Sequence, residues 1–192
     1  MTPFHTIFTT QLSAHHAASA RMPECLPVLQ AISDAILAAL QSGNKIIFFG
    51  NGGSAADAQH LAAEFVIRYR VNRRSLPALA LTTDTSMLTA CGNDFGFDTV
   101  FSRQVEGLAA AGDVVIGITT SGNSANVLEG LKAAKEKGCV TVAFTAEGGG
   151  RAADLADLTF KAPSPITAHA QECHMIAGHI LCEMVDTVFG PA

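Results

Sequence analysis

Apolar residues fall along this chain in two rhythms. Up to residue 42 they recur at helical spacing, and from Lys45 onward they gather into short runs separated by helical stretches. Residues 4–41 read as two helices broken near Met22-Pro23. The second, about Leu26 to Leu40, lines up Val28, Leu29, Ile32, Ile36, Leu37 and Leu40, and Gly43 follows its last turn as a stop. Strands are predicted at Lys45–Phe49, Ala78–Thr82, Asp113–Thr119, Cys139–Thr145 and Leu158–Ala162. Helices are predicted at Ser54–Tyr69, Phe101–Leu108, Ala125–Lys137, Arg151–Leu155 and Thr167–Val188. Apolar strands alternating with helices predict an α/β fold: one three-layer αβα domain with a five-stranded parallel sheet flanked by helices. Residues 1–42 form its leading helical pair and 43–192 its parallel core. In such sheets ligands sit at the carboxyl ends of the strands.

At 192 residues and 48% apolar, the chain can build one domain with a core that needs no staples. A formal net charge of −5, few aromatics and no Trp argue against a nucleic-acid partner. The five cysteines are dispersed with no CxxC pair, which reads as reduced thiols serving as small buried residues. The N-terminus lacks the basic start and long apolar run of a signal peptide, and no apolar stretch is expected to reach the length of a membrane span. The expectation is a cytoplasmic protein with no membrane partner.

Candidate chemistry concentrates in residues 50–64, GNGGSAADAQHLAAE. A glycine-rich turn, Gly50-Asn51-Gly52-Gly53-Ser54, follows the first strand and opens into a helix, offering backbone N–H groups to an anion. Ser54 is the expected N-cap, with Asp57 completing an acidic first turn. Gly50, Gly52 and Ala55 also fit a loose dinucleotide pattern, but no acidic residue ends the next strand, and Asp84 lies too far on. A second polar turn, Thr119-Thr120-Ser121-Gly122-Asn123-Ser124, follows the third strand and again precedes a helix. Its hydroxyls and N–H groups form a phosphate cradle without a lysine. One such turn is ordinarily a polar turn with a serine cap; two on neighbouring parallel strands point to a site.

His60 and Glu64 lie one turn apart on the first helix, about 6 Å at Cβ. Alone they read as a solvated pair, but the surrounding alanines make a slim helix able to approach another backbone. The last helix carries Gln171, Glu172, His174, His179 and Glu183, which together with His60 read as a metal or proton-transfer cluster. Asn93-Asp94 reads equally as a turn or as a sugar-hydroxyl contact. The arginines at 68, 70, 73 and 74 read as mostly solvated, with Arg68 the one candidate for the site.

These motifs, in this order, resemble the SIS (sugar isomerase) domain family. GNGGSAADAQHLAAEFVIRY, LTTDTSMLTACGNDFGFDTVFSRQVE, GDVVIGITTSGNSANV and QECHMIAGHILCE carry the resemblance over nearly the full length. The resemblance implies an aldose–ketose isomerase that interconverts sedoheptulose 7-phosphate and D-glycero-D-manno-heptose 7-phosphate for bacterial heptose synthesis. It also implies a homotetramer with sites at subunit interfaces and one zinc per subunit. By motif it implies that Ser54, Thr119, Thr120, Ser121 and Ser124 hold the phosphate, and that Asn51, Gly52, Gly53, Asn93 and Asp94 line the sugar. His60, Glu64, Gln171 and His179 would bind zinc, with Gln171 also at the substrate and Glu64 and His179 the proton-transfer pair. The chain departs from the family pattern at Thr119, where Ser is usual, and at His169, where Arg is usual. The competing readings are a non-catalytic SIS protein that binds a sugar phosphate or the replication initiator, and a dinucleotide-dependent oxidoreductase. Spacing raises one difficulty: Gln171 and His179 on one straight helix are separated by roughly 12 Å of rise. Either that helix is distorted or the ligands come from different copies of the chain.

Overall fold

The computed structural model describes residues 2–191. The leading pair consists of α1 (Pro3–Ala20), a 3-10 turn (Met22–Cys25) and α2 (Leu26–Gln41). Thr2 caps α1 by accepting from His5 N, and prolines stand in the first turns of both helices, where a missing N–H costs nothing. Gly43, at φ +84°, ends α2 as expected. The core then runs β1 (Ile46–Gly50), α3 (Gly53–Val66), β2 (Ala78–Ala80), α4 (Thr85–Asp94), a 3-10 turn (Phe97–Thr99), α5 (Ser102–Leu108), β3 (Val114–Ile118), α6 (Ala125–Glu136), β4 (Val140–Thr145), α7 (Gly150–Leu155), β5 (Leu158–Lys161) and α8 (Thr167–Phe189).

All five strands are parallel, in the order β2-β1-β3-β4-β5. The chain winds outward from β1 to β2 on one side and from β3 to β5 on the other. The reversal falls between β1 and β3, and it opens a crevice at their carboxyl ends. Helices cover both faces, so β1 and β3 are buried at every position and read as apolar runs, and β4, buried after its first residue, is broken only by threonines. Alternate residues feed two cores. Phe48, Val114, Ile116 and Phe144 pack with α2, α3 and α8, while Ile47, Phe49, Val115 and Ala143 pack with α5, α6 and α7. Each large side chain removed from water contributes about 1.5–3 kcal/mol.

Helix α4 is the one sizeable element the pattern did not predict. It carries few apolar residues, and only Cys91 of it is buried. Its signal was present in Asp84, whose carboxylate accepts from Met87 N at 2.9 Å as a side-chain N-cap. The expectation about membrane spans also meets an exception. By length and composition the joined helices Pro3–Gln41 contain an 18-residue window of mean hydropathy 1.3, 39% of it buried in the fold. The apolar stripe of α2 explains this, because Leu29, Ile32, Ile36 and Leu40 belong to the core.

Candidate active site

Two turns flank the crevice between β1 and β3. The first leaves β1 at Gly50, where a Cβ would stand 2.7 Å from the Ile118 carbonyl oxygen, so only glycine lets the turn lie against the end of β3. Gly52, at φ 58° and ψ −120°, is the N-cap of α3, in a region open only to glycine. The expected cap therefore moves: Ser54 lies inside the first helical turn and is buried, and Asp57 sits beyond that turn. Burial pushes the Asp57 carboxyl up, and its Oδ2 has no partner among the described residues. Gly53 leaves room for Gln171, whose Nε2 lies 2.5 Å from where a Cβ would be.

The second turn leaves β3 at Thr119. Thr119 Oγ1 stands 3.1 Å from Ser124 Oγ and 3.4 Å from Ser121 Oγ, so three of the predicted hydroxyls converge. Ser124 is the N-cap of α6 but makes no side-chain cap bond, because its hydroxyl faces Thr119. Gly122, at φ +66°, presses against the Gly149 carbonyl, which leaves no room for a side chain. Among the described residues the N–H groups of Gly52, Thr120 and Ser121 donate to no backbone acceptor. The first turn thus presents a free donor at the start of α3, and the second presents two in the loop that leads into α6, an arrangement that favours an anion.

A polar seam runs along α3 and α8. His60 Nε2 and His179 Nε2 stand 2.9 Å apart, with the rings nearly edge-to-face, and His60 Nε2 lies 3.5 Å from Glu64 Oε1. Such a contact requires one ring nitrogen to carry the proton and the other to accept it. The chain's single tyrosine, Tyr69, stacks on His179 at 5.3 Å between centroids and 24° between planes. Gly53 meets Gln171, Leu61 meets Gly178 and His60 meets His179, so α3 and α8 run in the same direction. Gln171 therefore lies at the glycine turn, and His179 lies about two turns further along the seam. Helix α8 is continuous from Thr167 to Phe189, which removes the option of a distortion near Gln171.

The remaining polar residues of α8 go elsewhere. His174 is fully buried and its Nε2 lies 3.0 Å from the Thr145 carbonyl. Glu172 accepts from His15 at 2.8 Å and from His169 at 2.9 Å. Glu183 pairs with Arg70 at 3.0 Å. The expected cluster of last-helix histidines thus reduces to His179, because helical rotation sends the others to the sheet or to α1. The arginine run is mostly solvated, as expected: Arg68, Arg70 and Arg74 are exposed, and Arg73 is the exception. Arg73 is buried against Asp186 at 2.8 Å and donates to the Glu64 and Phe65 carbonyls, closing the end of α3. Asn93 and Asp94 lie in the last turn of α4, hydrogen-bonded to each other at 2.8 Å, and make no hydrogen bond to either turn among the described residues. Sequence reasoning missed Tyr69 and also Asn126, a buried residue of α6 bonded to Asn51. Their signals were weak: one sat in a charged run, the other past the end of the hydroxyl turn.

The strand order, the paired turns and the polar seam define a doubly wound α/β protein with a switch-point site. The SIS domain profile matches residues 13–146, and the chain belongs to the SIS domain family. A phosphoheptose isomerase of Aquifex aeolicus is 59% identical over 155 residues, covering 81% of each chain. One of Paramagnetospirillum magneticum is 52% identical, covering 96% of this chain and 97% of its own. Among solved structures, the phosphoheptose isomerase of Neisseria gonorrhoeae superposes with a TM-score of 0.90 at 42% identity, over 95% of this chain and 99% of that one. That of Francisella tularensis gives 0.92 at 32% identity, over 97% and 100%.

Proposed function

We propose that this protein is a heptose phosphate isomerase that interconverts sedoheptulose 7-phosphate and D-glycero-D-manno-heptose 7-phosphate in the bacterial cytoplasm, supplying heptose for lipopolysaccharide or capsule. The names of the relatives support the reaction class. The observation that carries the mechanism is the meeting of His60, Glu64 and His179 on helices that border the switch crevice.

Aldose–ketose isomerisation moves one proton between adjacent carbons through an enediol, and needs a base at carbon and an acid/base at the two oxygens. Thr119, Thr120, Ser121 and Ser124, with Ser54 and the turn N–H groups, hold the phosphate. This fixes the sugar's far end and leaves C1 and C2 to reach the seam. Glu64, with 21% of its side chain exposed, takes the proton from one carbon and returns it to the other. His179, braced by Tyr69 and His60, exchanges protons with the two oxygens, so neither oxygen carries a full charge.

Zinc fits the donor chemistry of this seam. Two imidazole nitrogens and a carboxylate oxygen from His60, His179 and Glu64 are a suitable set, and a bound zinc would supply Lewis-acid polarisation of the substrate carbonyl. As they stand, no three such side chains among the described residues form a ready cation site. Gln171, at the glycine turn of the same chain, joins the set only from another protomer. A homotetramer with shared sites meets that need. Exposed Phe4, Ile7 and Phe8 on α1, and an apolar cleft of about 530 Å³ lined by Met22, Leu26, Leu29 and Met184, support association of copies.

The test is incubation with sedoheptulose 7-phosphate, with and without a chelator, followed by NMR. Appearance of the aldose is expected, slowed by the chelator. No turnover by folded protein under either condition would favour a non-catalytic SIS binding protein.

A further inference from the structure

Asn51 and Asn126 stand 75 residues apart in the chain and face each other across the switch crevice. Asn51 Nδ2 donates to Asn126 Oδ1 at 2.8 Å, and Asn126 Nδ2 donates back to Asn51 Oδ1 at 2.9 Å. The two amides therefore close a flat ring of two hydrogen bonds. Asn51 belongs to the glycine turn after β1, directly beyond Gly50. Asn126 is in the first turn of α6, directly beyond the hydroxyl turn after β3, and only 3% of it is exposed. An asparagine in a first helical turn ordinarily bonds to nearby backbone; here its side chain is spent on the other anion turn.

From this we infer that Asn126 is a positioning residue that locks the two anion-binding turns to each other through the Asn51 amide. Only an amide supplies a donor and an acceptor side by side, so only asparagine at both positions closes the ring. A carboxylate at either position sets two oxygens face to face. The β1–β3 ladder ends at the pair Gly50 and Ile118, and beyond it no backbone hydrogen bond joins the two turns among the described residues. It holds the Gly52 N–H on one side and the Thr119–Ser124 hydroxyls on the other at one separation. A phosphate that uses both turns finds that separation already set. The inference rests on the proposed anion role of the turns, and its test is kept apart from turnover.

The test is a double-mutant cycle of Asn51→Ala, Asn126→Ala and the double variant, read by calorimetric titration with inorganic phosphate and, separately, by KM and kcat for sedoheptulose 7-phosphate. Each single variant is expected to weaken phosphate binding about tenfold and raise KM by a similar factor, with a smaller change in kcat. The double variant is expected to be no worse than either single one, because one missing partner already opens the ring. A double variant whose loss equals the product of the two single losses would overturn the inference, since Asn51 would then contact ligand on its own account. So would an Asn126→Ala protein that melts lower but binds phosphate like the parent, which is the mark of a merely structural role. If Asn126→Ala does not fold, Asn126→Ser takes its place in the cycle. Phosphate titration needs no turnover. A parent that binds phosphate and isomerises nothing defeats the proposed reaction while still deciding the coupling, and a parent that binds no phosphate defeats the inference itself.

Discussion

His174 and His179 lie little more than a turn apart on α8, yet they inhabit different chemistry. His174 faces inward, fully buried between the rings of Phe144 and Phe160, and its Nε2 donates to the Thr145 carbonyl. Burial pushes its pKa down to about 4, so it is neutral near pH 7, and its Nδ1 is buried without a partner among the described residues. His179 faces along α3, partly open to solvent, with His60 on its edge and Tyr69 on its face. One imidazole serves as a core side chain with a single hydrogen bond. The other stands against His60, whose Nε2 in turn lies 3.5 Å from the Glu64 carboxylate. The rotation of the helix, not the residue type, separates the two.

The strongest way to break this contrast is on the seam side. Glu64→Gln is expected to lower turnover of sedoheptulose 7-phosphate by about 10²–10⁴-fold, with the melting temperature little changed. Retained activity would strip the seam of its chemical role. His174→Gln should do the reverse, leaving turnover per folded molecule within a few-fold while lowering stability.

The inner side is sharpened by pH. His174 binds its proton near pH 6.5 in the unfolded chain and near pH 4 in the folded one, so between those values the unfolded chain holds more protons. The stability that neutral His174 contributes is complete above about pH 6.5, shrinks as pH falls, and is gone below about pH 4, a change of about 3 kcal/mol. Urea midpoints measured from pH 7 to pH 4 should show that slope in the parent. His174→Gln should flatten it, and an unchanged slope would mean that another group carries it.

Between the two sides lies the close approach of α3 and α8. Gly178→Ala would place a methyl 2.5 Å from Leu61 Cδ2, and is expected to cost about 1–3 kcal/mol by overpacking, measured by denaturant unfolding. The smallest effect belongs to Gly53→Ala. Its methyl would meet the amide end of Gln171, a flexible side chain that can swing away. Stability should fall by less than about 1 kcal/mol, while sugar-phosphate affinity, measured by calorimetry, drops a few-fold.

Much of this was legible in the residue pattern. The five apolar runs became the five strands, shifted by a residue or two, because strands covered by helices on both faces are built mainly from apolar residues. The two turns were legible through their glycines and hydroxyls, and His60 with Glu64 through a spacing of one turn. Ser54 was misread as a cap because serine usually caps, whereas here the positive φ required at Gly52 moved the helix start. Helix α4 escaped because its packing surface is small and its main local signal was one capping aspartate. Tyr69 was hidden among arginines, and Arg73 looked solvated until its guanidinium met Asp186 across the chain.

The chain's local chemistry was enough to set which segments become strands, where the turns offer donors to an anion, and which side chains can carry a proton. Those properties depend on periodicity, backbone freedom and residue type within a few positions. Tertiary structure alone decided which histidine of α8 meets His60, that Gln171 stands at the opposite end of the seam, and that Asn51 is held by Asn126. These depend on how two helices are rotated against each other and on which strands become neighbours at the switch point. Distances of 2.8–2.9 Å between residues 75 to 119 positions apart are set by packing, which no local pattern encodes.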